Sequence, residues 1–174
     1  MDFPLDPHEA LRLKAIRGLG VEAWLPAGML DRITAHVRAH FHVPICLVTL
    51  IEADCALLIS RQGIEGTEVP RQVAFCSHTI VTPALLVVPD TRADPRFRDN
   101  PLVTGAPHIR FYAGAPLAYE GEVRLGSLCI MDHKPRTLTR GEQAELAMFA
   151  DYVSSVIASR ALGLPEPDIG LALQ

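Results

Sequence analysis

The chain has 174 residues, 49% of them hydrophobic and 21% charged, which is enough apolar material for one well-buried core and too much for a disordered chain. Sixteen basic against twenty acidic residues leave a net charge of -4, and no run of five Lys or Arg occurs, which excludes the basic footprint of a nucleic-acid binder. Residues 1–7 have neither a basic flank nor an apolar stretch, and the longest apolar run, Ile45–Ile51, is far too short to span a bilayer, so neither secretion nor a membrane partner is expected.

The first helix is expected to begin at Asp6, with Pro7 in its first turn, Glu9 closing a capping-box-like arrangement, and Gly18 and Gly20 ending it. After Trp24-Leu25-Pro26, a second helix over 27–41 carries Leu30, Ile33, Val37 and Phe41 as one apolar stripe and stops before Pro44. Ile45–Ile51 is apolar at odd and even positions alike, which predicts a strand covered on both faces near the middle of a sheet. A turn over 52–54 leads to a strand over 55–61, closing an antiparallel hairpin that Gln62-Gly63 ends. A polar loop follows, then a short helix over 71–81 closed by Pro83, then a compact strand over 85–89.

Residues 90–108 hold three prolines and three aspartates, with Asp94-Pro95 and Asn100-Pro101 each able to start a helical turn. Loops this long inside a domain usually bind something or cover a site. A second hairpin over 110–119 and 123–132 follows, and Thr139-Arg140-Gly141-Glu142 is a capping box for the last helix. That helix carries Leu146, Phe149, Ala150, Val153, Val156 and Ile157 as its stripe until Gly163 and Pro165 forbid continuation. The order predicts an α+β fold in one domain over 1–174, with a core at 7–162 and a tail at 163–174. Its antiparallel sheet would have the terminal helices on one face and the material over 71–108 on the other. A cavity under that material is expected to have Val48, Leu50, Phe111, Ala113 and Leu128 as its dry floor.

The four cysteines form no C-x-x-C pair, which favours reduced thiols and a cytoplasmic location. Cys76 and His78 lie two apart, which on a helix splays them by roughly 200° and argues against a metal held by this pair. They read as a buried thiol beside a hydrogen-bonding or capping imidazole, with groups lining the cavity as the functional alternative. Around the long loop, Asp90, Asp94, Asp99, Arg96, Arg98 and Arg110 can pair among themselves or orient a polar ligand. His108 and Arg110 open the strand after the loop and are the preferred polar anchors, with Phe97 and Tyr112 as walls. No G-x-S-x-G, no H-E-x-x-H and no phosphate-cradling glycine motif occurs, so no catalytic residue and no metal is assigned, and no cofactor can be named.

Several strings carry a family resemblance: Phe75-Cys76-Ser77-His78-Thr79-Ile80, Val87-Val88-Pro89-Asp90, Asp94-Pro95-Arg96-Phe97, Asn100-Pro101-Leu102-Val103, His108-Ile109-Arg110-Phe111-Tyr112-Ala113-Gly114-Ala115-Pro116-Leu117 and Leu125-Gly126-Ser127-Leu128-Cys129-Ile130. With the element order, they make the chain resemble the GAF domain, and more narrowly the bacterial GAF domains found upstream of histidine kinases and cyclic-dinucleotide synthases. The resemblance implies a small-molecule pocket between the sheet and the segment joining its middle strands, and a homodimer through the terminal helices. Cys76, His78, Asp90, Phe97, His108, Arg110 and Tyr112 are the ligand-binding candidates it yields. Because Gly163 and Pro165 stop the last helix, a signal is expected to pass to a separate signalling protein.

Departures from relatives narrow the function. Ala56-Leu57-Leu58 stands where relatives carry a Trp-Phe pair, the Asn-Lys and Asp-Glu steps of cyclic-nucleotide binders are missing, and 90–110 has no cysteine for a bilin. The free methionine-(R)-sulfoxide reductases share the resemblance and place a cysteine near Cys76, but the second cysteine they need is replaced by His108-Ile109-Arg110-Phe111. A sensory module is therefore expected, with a thiol reductase or a ligand-free dimerisation module as the alternatives.

Overall fold

Asp6 caps the turn leading into the first helix: its carboxylate accepts the His8 N–H at 2.7 Å and its carbonyl accepts from Glu9. Helix α1 runs Glu9–Leu19 and ends on Gly20 in the left-handed region at φ 61°, where a glycine carries no Cβ penalty. Glu9 closes no capping box. Its carboxylate reaches forward to Arg12 and across to Arg71 instead. A 3₁₀ turn, Val21–Trp24, precedes α2, Met29–His40, which buries Leu30, Ile33 and Val37, with Phe41 just beyond. The computed structural model describes residues 2–24, 27–168, 170 and 173; Leu25 and Pro26, read above as the lead-in to α2, lie outside them.

Six strands form one antiparallel sheet in the order β3-β2-β1-β6-β5-β4. They are β1 Ile45–Ile51, β2 Cys55–Gln62, β3 Glu68–Pro70, β4 Leu86–Val88, β5 Phe111–Ala118 and β6 Arg124–Asp132. Every residue of β1 is buried, Thr49 included, as a run apolar on both faces predicts. β3 lies in what reads as a polar loop, because an exposed edge strand carrying Glu68 and Pro70 shows none of the apolar pattern of a covered one. The β1–β2 register shifts between Val48 and Thr49, and this irregularity turns Ile59 and Ser60 both toward α2. Ser60 there donates to Asp31 at 2.6 Å and lies 2.8 Å from the Thr34 hydroxyl.

The final helix, α5, runs Arg140–Ala161 from the Thr139–Glu142 capping box, which is fully formed. It packs with α1 and α2 on one face of the sheet, burying Leu146, Phe149, Val153 and Val156 against the strands. Val48, Leu50, Phe111, Ala113 and Leu128, expected to floor a cavity on the other face, belong to this helix-covered core. The physical reason is that strands apolar on both faces carry no parity signal, so pattern alone cannot assign a residue to a face. On the opposite face the helix expected over 71–81 is a single turn, α3, Cys76–Thr79. Beyond it the β-branched run Thr79-Ile80-Val81-Thr82 and Pro83 disfavour further helix. Of the two expected helical starts in the long loop, Asn100 caps α4, Pro101–Thr104, while Asp94-Pro95 makes only a turn.

Candidate functional site

The second sheet face is floored by Leu47, Leu58, Tyr112, Cys129 and Met131, and it carries a set of hydroxyls of its own. The Tyr112 ring lies along β5 over Gly114, where a Cβ would collide with its hydroxyl. That hydroxyl bonds Thr79 of α3 at 2.6 Å, and Thr49 pairs with Ser127 at 3.2 Å, so these polar groups satisfy one another. Above this floor, Ala74, Phe75 and Cys76 form a roof, and Leu102, Pro107 and Ile109 form a lid. Between them lies a cavity of about 30 Å³ with almost wholly apolar walls. Three polar bonds frame the cover: Asn100 Nδ2 to the Val73 carbonyl at 2.9 Å, Thr91 Oγ1 to the Ile109 carbonyl at 2.7 Å, and Arg110 Nη1 to the Val103 carbonyl at 2.9 Å.

The structure divides the seven candidates. Cys76 and Tyr112 line the cavity. Phe97 lies behind it, its ring centroid 4.9 Å from Phe75, which in turn stacks on Tyr112 at 5.2 Å. His78 is half-buried and edge-on to Phe97 at 4.8 Å; burial lowers its pKa, the Arg96 cation adds to this, and Asp94 opposes it. These residues make one aromatic ladder from the sheet to the surface. Asp90, His108 and Arg110 sit apart from the cavity walls. Asp90 forms an exposed pair with Arg92 at 2.9 Å, His108 is exposed at φ 57°, and Arg110 is half-buried with its guanidinium on the Val103 and Ile109 carbonyls. Sequence reasoning missed Leu47, Ala74 and Phe75 as cavity residues. The signal for the correct face was the row of hydroxyls, Thr49, Tyr112 and Ser127, among otherwise hydrocarbon strands.

Wider hollows lie elsewhere. One of about 760 Å³ between α2 and the β2–β3 turn is an open polar trough whose Asp31 and Ser60 are already bonded to each other. Another, of about 460 Å³, lies between α5 and the β5–β6 turn. Both are more polar-walled and somewhat more open than the small cavity under α3, which is the better candidate because a site must remove its ligand from water.

The family model described as the GAF domain matches residues 26–157. The chain belongs to the GAF family. It is 36% identical over 156 residues to a cyclic di-GMP phosphodiesterase of Pseudomonas aeruginosa, a match that covers 89% of this chain and 26% of the relative. The chain thus spans about a quarter of that relative's length. Among solved structures, the free methionine-R-sulfoxide reductase of Neisseria meningitidis superposes with a TM-score of 0.66 at 16% identity, covering 94% of this chain and 98% of that one. The GAF domain of a phosphoenolpyruvate-protein phosphotransferase from Coxiella burnetii gives 0.65 at 16%, covering 87% and 98%. Both likenesses are of fold.

Within this GAF fold all four cysteines are free, and their electrostatics are those of unreactive thiols. Burial raises the pKa of Cys46, Cys76 and Cys129, and at half-exposed Cys55 burial and then the carboxylates of Glu68, Glu52 and Asp54 do the same. The thiolate is the nucleophile, so at each of these positions the raised pKa works against its formation. Among the described residues no three His, Cys, Asp or Glu are placed to hold a metal, and no helix is long and apolar enough to cross a membrane.

The roof is tied to the helix layer at both of its ends. At one end the fully buried Arg71 bonds Glu9 of α1 at 2.6 Å while Ser77 donates to the Arg71 carbonyl at 2.8 Å. At the other, Arg124 bonds Asp6 at 2.7 Å and also donates to the carbonyl of Ile80. The N-terminal segment therefore grips α3 from before and after.

Proposed function

We propose that this GAF domain is a sensory module that binds a small molecule non-covalently in the cavity under α3 and signals through its terminal helices to a second copy or to a partner. The observation that carries the reading is the small apolar cavity between sheet and roof, with the roof pinned to α1 by Glu9–Arg71 and to the segment before α1 by Asp6–Arg124. A ligand that lifts α3 must strain or release those pins, so occupancy has a mechanical route to the helices. The likeness to a segment of a cyclic di-GMP phosphodiesterase of Pseudomonas aeruginosa supports a place beside a bacterial enzyme of that kind. Leu11, Leu162 and Leu164 are each more than half exposed, and Leu11 and Ala161 border one hollow between α1 and α5, which supports a homodimer through these helices. Native mass spectrometry is expected to show a dimer carrying a small molecule; a bare monomer at tens of micromolar would sink both halves of the reading.

Binding is favoured over thiol catalysis because every thiol has its pKa raised. Alkylation of the folded protein at neutral pH should label Cys55 first and slowly, and Cys46, Cys76 and Cys129 only on unfolding. A thioredoxin-coupled reduction of free methionine (R)-sulfoxide that Cys76→Ser abolishes would replace the sensory reading with an enzymatic one.

A further inference from the structure

We infer that a second site, on the helix-covered side of the sheet, takes a small organic amine, an apolar body carrying one ammonium group. This goes beyond the sensory reading above and stands or falls apart from it. The site is the hollow of about 460 Å³ between α5 and the β5–β6 turn, a volume within the range of small-molecule pockets. The topology of the sheet leaves it there. β4 pairs with β5 only at Tyr112, Ala113 and Gly114, so residues 115–118 form a sheet edge with no strand beyond them. Pro116, which has no N–H to leave unpaired, suits such an edge. Over it α5 presents Ala147 and Ala150, and Pro83, Leu85 and Val123 complete a mostly apolar floor.

The charges around the mouth do not balance. Arg124 is fully committed, its nitrogens donating to Asp6 and to the carbonyls of Ile80, Val81 and Glu122. His8 faces Glu122 at 3.4 Å. Asp151 lies on the same face of α5, one turn from Ala147. It is exposed, and among the described residues its carboxylate has no partner, since Ser155 reaches only its carbonyl, at 3.0 Å. Three positions on, the Ser154 hydroxyl is buried and also unpartnered, beside a neighbouring hollow that shares Ala118 with this one. A carboxylate and a hydroxyl at this spacing stand about 5–6 Å apart at their Cβ atoms, and both accept the hydrogen bonds that an ammonium donates. An anion would meet Asp151 and Glu122 as like charges, and a neutral guest would leave the Asp151 carboxylate unpaired. The open mouth suits a cation, because the ammonium keeps part of its water there while the apolar body displaces water from the floor. Pro7 and His8 form the far wall, next to the Asp6 that holds Arg124, so an occupant touches the segment that grips the roof.

The test uses the full chain with 2-phenylethylamine as the probe and phenylacetate and 2-phenylethanol as anionic and neutral comparators of similar shape, titrated at neutral pH and followed by methyl NMR. The amine should shift the methyl signals of Ala115, Ala118, Ala147 and Ala150, bind about tenfold or more tightly than either comparator, and weaken as salt is raised. Asp151→Asn, at an exposed position where the fold is not at stake, should weaken the amine by about fivefold to tenfold and leave 2-phenylethanol unchanged. Ala147→Leu, which keeps a good helix former while filling the hollow, should weaken amine and alcohol alike by about tenfold or more. Comparators that bind as tightly as the amine, or an Asp151→Asn variant that binds the amine as well as the wild type does, would overturn the ligand class. Absence of those methyl shifts at about 10 mM amine, or binding that survives Ala147→Leu, would overturn the site itself. Neither result bears on the cavity under α3, which native mass spectrometry tests on its own.

Discussion

The two faces of the sheet are closed by different physics. On the helix side, α1, α2 and α5 lay hydrocarbon on hydrocarbon but for the Ser60–Asp31–Thr34 cluster, and the core from Leu30 and Ile33 to Val153 and Ile157 is continuous. On the other side the cover is a turn of helix, a long loop and a four-residue helix, held by Asn100, Thr91, Arg110 and the Arg71 and Arg124 pins as much as by packing. Apolar burial is non-directional and tolerates no gap cheaply, whereas hydrogen bonds and ion pairs can hold a frame around one. The structure accordingly keeps its stability on one face and an enclosed space on the other, with the N-terminal segment touching both.

The largest expected effect lies in the helix-side core. Ile33 is completely buried, and Ile33→Ala should destabilise the fold by about 2–5 kcal/mol through lost burial and an unfilled cavity. Urea unfolding should show a lower midpoint with an unchanged slope. A loss below about 1 kcal/mol would mean that this face is not the denser one.

Next come the pins. Glu9 is the one carboxylate between the buried guanidinium groups of Arg12 and Arg71. Burial opposes its ionisation, but the bonds from Arg71 and Arg12 outweigh that and bring its pKa down from 4.5 to about 2. A depressed carboxylate pKa means that the folded state holds the proton more weakly than the unfolded one. The stabilisation is therefore fully present above the ordinary value of 4.5 and is lost as pH falls toward about 2. Glu9→Gln should cost about 3 kcal/mol, the lower end for breaking a buried pair because Glu9 keeps some exposure, and should flatten the acid limb of the stability curve. Hydrogen exchange should then rise in α3 as well as in α1, since the same bond holds both; exchange that rises in α1 alone would show that the roof does not depend on the pin.

How far the sequence revealed this division follows from what each face is made of. Amphipathic helices with stripes such as Leu30–Ile33–Val37 and a complete capping box at Thr139 announce themselves at a 3.6-residue period, so the helix layer was legible almost to the residue. The second face has no such period. Its cover is irregular chain, its edge strand β3 is three residues long, and its floor lies on strands with apolar residues on both faces, where a one-residue change of parity exchanges floor for core. The aromatic ladder was half-legible: Phe97, Tyr112, Cys76 and His78 stood out as residue types, while Phe75, which connects them, was only one letter in a longer string. Glu9 appeared as a local capping residue because its true partner, Arg71, is 62 positions away, a distance over which sequence spacing carries no information.

The smallest effect decides the role of Arg110, which as a sequence feature suggests a ligand anchor and in the fold reaches two carbonyls of its own loop, Val103 at 2.9 Å and Ile109 at 3.2 Å. Because the side chain is only half-buried, water can replace part of what it gives, and Arg110→Ala should cost about 1–2 kcal/mol, or a melting temperature lower by about 2–8 °C for a chain of this size. An anchor and a strut respond in opposite ways. If Arg110 is a strut, the variant melts earlier, while a ligand bound under α3 loses little affinity, because the guanidinium is held on the Val103 and Ile109 carbonyls. If it is an anchor, melting hardly changes and a charged ligand loses about 1.5–3 kcal/mol, roughly ten- to a hundredfold in Kd. The bonds to Val103 and Ile109 support the first outcome, and thermal melting of wild type and variant, set beside calorimetric titration with whatever small molecule native mass spectrometry finds bound, separates the two.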